Sequence, residues 1–153
     1  MTEPGIDITR VFDAPRERIW QEWTEPERFA DWYGGPHAEI PLATVTMDVR
    51  PGGRWSLTMR FGPRKIHWRG VYREVVPPER LVFTVTDVPG DEDPDELVIV
   101  DLTDLGDGRT EMRFQQRGGG LDADGYERAK SGWGTFFDHV DRRLVTPEGR
   151  SGR

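Results

Sequence analysis

The chain has 153 residues, of which 35% are hydrophobic and 32% charged, with a net charge of −7, six tryptophans, seven phenylalanines and no cysteine. The negative balance argues against sequence-independent nucleic-acid binding and against an anionic membrane surface. Lack of cysteine excludes disulfides and thiolate catalysis, and no segment approaches the roughly 20 apolar residues of a membrane span.

The start, "MTEPGIDITRVF", has no basic and apolar leader pattern, so a cytoplasmic protein is expected. Length favours a single domain over 1–153, with a core over about 6–145 and a disordered tail at 146–153. Lys65 and Lys130 are the only lysines among many arginines, a coding bias of GC-rich bacterial genomes.

In chain order, "IDITRVF" alternates as a strand does. "DAPRERIWQEW" starts a helix at Pro15, with Ile19, Trp20 and Trp23 as its apolar positions. "TEPERFADWYGG" predicts a second short helix, capped by Thr24 and stopped by Gly34-Gly35-Pro36.

The pattern then turns to period two. Strands are expected at 43–50, 54–61, 66–76 and 80–88, with "PGG" and "GPRK" as turns and Pro77-Pro78 as a stop. "PGDEDPDE" reads as a solvated acidic loop. "LVIVDLTDL" and "RTEMRFQQR" form a hairpin about "GDG". On one strand face Tyr72 and Glu74 fall together; on another, Thr110, Met112, Phe114 and Gln116.

The last element is a long helix, for which Asp124 with Glu127 offers a cap. At about 100° per residue, Tyr126, Phe137, Val140 and Leu144 gather around Trp133, while Asp138, His139 and Arg142 point away. Gly132 and Gly134 flank Trp133 and border this stripe. Bare backbone there would let a ligand or another element approach closely, or let the helix kink. Antiparallel strands can leave one face wet, and only this helix is long enough to cover the other.

The ordered set "ITRVFDAPRERIWQEWTEPERFADWYGG", "VRPGGRWSLTMRF", "GVYREVVPPERLVFT" and "GWGTFFDHVDRRL" resembles the START-like helix-grip (SRPBCC) superfamily. Its similarity is to the branch named after the activator of the ninety-kilodalton heat-shock protein's ATPase. The resemblance implies an α+β fold: a curved antiparallel sheet of six or seven strands grips a long C-terminal helix, with two short helices after the first strand. It also implies a cavity for a small hydrophobic ligand between sheet and helix.

The ligand-contact residues expected there are Trp133, Phe136, Phe137 and Val140 on the helix and Trp32 on the second short helix. The strands add Trp55, Leu57, Met59, Tyr72, Phe83, Met112 and Phe114. No catalytic or metal-binding residue is assigned and no cofactor is expected. His37, His67 and His139 have no evident partner, no ligand spacing suits a metal, and "RGGGLD" lacks the phosphate-loop signature.

The expected role is binding of a hydrophobic or polycyclic molecule, in natural-product biosynthesis, transport or self-resistance. Two alternatives are a cyclase/aromatase-like enzyme acting on a polyketide and a co-chaperone-like interaction module using the acidic loop. The enzyme would need two titratable groups converging in the cavity. No nucleic acid or membrane insertion is expected, and a protein partner is left unassigned.

Overall fold

The computed structural model describes residues 5–91 and 94–145. The expected disordered tail, and residues 92–93 of the acidic loop, lie outside the described residues. The elements are β1 (Gly5–Phe12), α1 (Arg16–Thr24), α2 (Pro26–Trp32), a 3-10 turn (Leu42–Thr44), β2 (Thr46–Met47), β3 (Arg54–Phe61), β4 (Arg64–Val76), β5 (Arg80–Thr84), β6 (Leu97–Gly106), β7 (Arg109–Arg117) and α3 (Ala123–Val145). The strands form one curved antiparallel sheet in the order β1-β7-β6-β5-β4-β3-β2. This is the expected helix-grip architecture.

Alternation decides which face is covered. On β3, Trp55, Leu57 and Met59 are buried while Arg54, Ser56 and Arg60 are exposed. On β7, Thr110, Met112, Phe114 and Gln116 are buried together. The same side of α3 that groups Trp133, Phe137 and Val140 is buried against this face.

Local chemistry moves several boundaries. The strand expected over 43–50 shrinks to two paired residues, Thr46 and Met47. Just before them, the Thr44 hydroxyl donates to the Pro41 carbonyl (2.7 Å) and accepts from the Thr58 amide (3.1 Å), which holds the chain in its 3-10 turn. β5 ends at Thr84 rather than Val88, leaving one bridge between Arg69 and Thr86. There the Thr86 hydroxyl accepts from the Val88 amide (3.0 Å) and bends the chain.

Thr24 closes α1, its hydroxyl on the Trp20 carbonyl (2.8 Å), and does not cap α2. The cap of α3 is Asp122, not Asp124: its Oδ1 accepts from the Gly125 amide (2.7 Å). A bulge between Tyr72 and Glu74 breaks their shared parity. Tyr72 stays inside, and Glu74 turns out to meet Arg80 at 3.1 Å.

α3 is tied down near its C-terminal end from two sides. Arg10 on β1 reaches Asp138 (2.5 Å) and Asp141 (2.6 Å), and Arg143 meets Glu22 of α1 (2.7 Å) and Asp31 of α2. Beyond their own helix backbone and adjacent residues, Gly132 and Gly134 have no described neighbour within 4 Å of where a β-carbon would stand, so close packing does not explain them. Each should therefore carry the ordinary glycine penalty of a helix interior. Gly132→Ala and Gly134→Ala are each expected to raise stability by about 0.5–1 kcal/mol in urea denaturation. A loss at either position would show that the bare backbone is needed.

Candidate functional site

The interior between sheet and α3 is closed by aromatic rings. Trp23 of α1 stands at its centre: its ring lies 4.8 Å from Trp32, 6.1 Å from Phe83 and Phe114, and 6.2 Å from Phe29, Trp133 and Phe137. Phe114 and Trp133 approach to 4.4 Å. These centroid distances are those of rings in mutual contact. Trp23, a side chain outside the expected contact set, thus stands in the middle of this interior.

A crevice remains among the described residues. Trp23, Phe29, Met47, Trp55, Tyr72 and Phe83 surround about 170 Å3 of empty space that nowhere admits a water-sized sphere. Its placement follows from the backbone. Gly34, at φ +87°, turns the chain out of α2 so closely that a β-carbon would stand 2.6 Å from Met59 Cε. Gly70 lies opposite Trp55, and a β-carbon there would stand 1.7 Å from the Thr84 carbonyl oxygen. The bare backbone at Gly70 lets Trp55 Nε1 donate to that same carbonyl (3.0 Å).

Other buried polar groups are mostly satisfied. Trp32 Nε1 donates to the Glu22 carbonyl (2.8 Å), Trp133 Nε1 to Gln116 Oε1 (2.8 Å) and the Thr110 hydroxyl to the Ala14 carbonyl (2.7 Å). Among the described residues, the Tyr72 hydroxyl and Trp68 Nε1 are enclosed without a partner. Burial, with the charge of Asp48 adding to it, pushes the Tyr72 phenol well above its ordinary range, so it is protonated at neutral pH.

Next to Trp133, Gln116 Nε2 donates to the half-buried Glu96, the residue just before β6. Burial raises the Glu96 carboxyl; the Gln116 bond opposes this, and the charges of Asp87 and Asp95 add to it. Burial also raises Tyr33, helped by Glu96 and Asp87.

The sign for stability follows. In the window between the ordinary glutamate value, 4.5, and the raised folded value, the folded chain holds the Glu96 proton more tightly than the unfolded chain. Glu96 therefore lowers stability as pH rises through that window, and its full cost is present above it. Glu96→Gln is expected to gain stability over wild type at pH 7, and the gain should vanish as the pH falls below the window. Paired urea titrations check this, and a gain that grows on acidification would contradict it.

The sequence-derived residues separate into groups. Trp55, Tyr72 and Phe83 meet at the crevice. Trp32, Phe114, Trp133 and Phe137 form the aromatic cluster behind it, and Phe136 is half-buried against Tyr33 (6.1 Å) and Trp133 (5.3 Å). Leu57, Met59, Met112 and Val140 are buried in the same core without lining the crevice.

Trp23, Phe29 and Met47 were not among the expected contacts. Trp23 was legible as an apolar helix position, but its reach across the sheet was not. Glu74 is exposed, and the Arg69 guanidinium donates outside to the Val88 carbonyl (2.7 Å). His67 contacts the Thr58 hydroxyl at 2.9 Å, whereas His139 is half-buried with Nδ1 enclosed, not turned fully to solvent.

Among the described residues the crevice brings no pair of titratable groups within hydrogen-bond reach. The converging charges are Glu22 with Arg18, Arg28 and Arg143, which join the three helices. No cluster of His, Asp or Glu able to hold a metal ion occurs among the described residues, and none of their helices is long and apolar enough to cross a membrane.

The family model described as "Activator of Hsp90 ATPase homolog 1-like protein" matches residues 13–144. The chain belongs to that family. No curated protein matches it. Among solved structures, protein CV1439 from Chromobacterium violaceum is 24% identical and superposes with a TM-score of 0.79, covering 94% of this chain and 98% of its own. Protein Ms6760 from Mycobacterium smegmatis is also 24% identical, with a TM-score of 0.73 and coverages of 92% and 90%. The AHSA1 protein SPO3351 from Silicibacter pomeroyi, 19% identical, has a TM-score of 0.79 and coverages of 93% and 98%. At these identities the likeness is one of fold alone, and the site follows from this chain's own side chains.

Proposed function

We propose that this family member binds a small hydrophobic molecule between the sheet and α3. The observation that carries this reading is the apolar crevice lined by the half-buried Met47 and by rings of the aromatic cluster. Five of its lining side chains are rings that offer large apolar area, and the sixth, Met47, is unbranched and adaptable on a strand of only two residues. The closed interior makes opening part of binding. The apparent affinity is the intrinsic one reduced by the fraction of open molecules.

Trp55, Tyr72 and Phe83 would meet the ligand first. Leu57, Met59, Phe114, Trp133, Phe136 and Phe137 would meet it once the cluster parts, with Trp32, Met112 and Val140 behind them. A cytoplasmic role in handling a hydrophobic natural product, in its biosynthesis, transport or self-resistance, fits such a site.

The test is thermal unfolding with a panel of polycyclic and alkyl-aromatic compounds, followed by titration of the indole N–H resonances. A bound compound should stabilise by about 2.7 kcal/mol at a hundredfold excess over Kd. It should also shift the indole signals of Trp23, Trp55 and Trp133. Unmoved melting and unmoved indoles across the panel at the solubility limit would defeat the reading.

A further inference from the structure

The Tyr72 hydroxyl is an unexplained feature of the crevice. Tyr72 is 2% exposed and lines the apolar space, and its oxygen is buried with no hydrogen-bond partner among the described residues. A buried hydroxyl left unpaired costs about 1–3 kcal/mol. Phenylalanine would fill the same position without that cost, as Phe83 does across the strand pair at 6.1 Å.

The surroundings limit what can satisfy the hydroxyl. Tyr72 is held by its backbone, the amide donating to the Gly53 carbonyl (2.9 Å) and the carbonyl accepting from the Gly52 amide (2.8 Å). The ring therefore cannot easily withdraw. The nearby carboxylate, Asp48, is already engaged by Arg50 Nε (2.9 and 3.0 Å). In its closed state the crevice has no room for a water. Being protonated at neutral pH, the phenol offers a donor, and the apolar lining penalises a charged acceptor.

We propose that Tyr72 is the polar anchor of the site, and that the ligand presents to it a neutral carbonyl oxygen carried on an apolar body. This rests on the reading of the interior as a ligand site. The apolar body follows from the walls: Trp23, Trp55, Phe29 and Phe83 line the same space. The carbonyl follows from the hydroxyl, since a purely hydrocarbon ligand would leave it unpaired.

Two probes of the same shape isolate the hydrogen bond: 2-acetylnaphthalene, and 2-isopropenylnaphthalene, in which a CH2 group replaces the carbonyl oxygen. Each is titrated into wild type and Tyr72→Phe, following the indole N–H resonances. The ratio of ketone to alkene affinity is expected to fall about threefold to tenfold in the variant, the worth of one neutral hydrogen bond. Tyr72→Phe should melt no lower than wild type, because it removes an unpaired group.

If both probes bind both proteins with an unchanged ratio, the anchor is wrong while the ligand site stands. If neither probe binds either protein, the site reading fails and the anchor with it. A variant that melts several degrees lower would show that the hydroxyl has a partner inside the protein, which also overturns the proposal.

Discussion

Trp23→Ala should lower stability by about 3–5 kcal/mol and turn the closed interior into an open one. Trp23 is 3% exposed and touches rings from α2, β5, β7 and α3 at once. Removing it loses the transfer energy of a large aromatic and leaves walls that are themselves too bulky to collapse fully. The hollow, on the order of 150 Å3, resembles engineered apolar cavities that stay dry and admit benzene. It would join the crevice that Trp23 already borders. The variant should accordingly bind naphthalene-sized compounds more tightly than wild type.

Urea denaturation and indole titrations read the two effects separately. A stability loss below about 1 kcal/mol would contradict the packing role. Unchanged binding would show that Trp23 does not occupy ligand volume. Trp23→Phe, a smaller truncation, serves the same purpose if the alanine variant fails to fold.

The second large effect is expected at Arg143. Glu22 is fully buried, and Arg143 grips both of its carboxylate oxygens, Nε at 2.7 Å and Nη2 at 3.2 Å, while also reaching Asp31. Arg18 and Arg28 approach the same carboxylate at the longer distances of 3.4 and 3.6 Å. Arg143→Ala would leave a buried charge with its weaker partners. Breaking such a pair from one side costs about 3–5 kcal/mol where no other partner remains. The two remaining arginines put the expected loss at about 2–3 kcal/mol.

Arg143→Lys should recover little, since a point charge cannot reproduce the two-pronged grip. Equilibrium denaturation measures the loss. Hydrogen exchange should show it concentrated in the last turns of α3, where the tie to α1 and α2 is made. A loss within 0.5 kcal/mol, the range of ordinary surface substitutions, would reduce the cluster to a surface feature.

Particular residues show how far the sequence could be read. The alternation of Trp55, Leu57 and Met59 against arginines and serine was sufficient to place β3 and its covered face. Glycine and proline punctuated the turns, and the 3.6-residue spacing of Trp133, Phe137 and Val140 aimed α3 at the sheet. These are local periodicities, so local pattern suffices. The two-residue β2 was misread because Thr44 diverts the chain through hydrogen bonds to Pro41 and to Thr58 on another strand. The face shared by Tyr72 and Glu74 was misread because one bulge reverses parity without any signature residue.

The sequence alone was enough to determine the helix-grip order, the apolar face of the sheet and most of the aromatic residues that meet there. Those properties are written in spacing and in side-chain type. Whether the interior is hollow, which polar atoms inside it go unpaired and how Glu22 survives without water were decided only by the tertiary structure. They depend on where α1 comes to rest over the sheet, which places Trp23 among rings from four other elements and Glu22 against Arg143, 121 residues away in the chain.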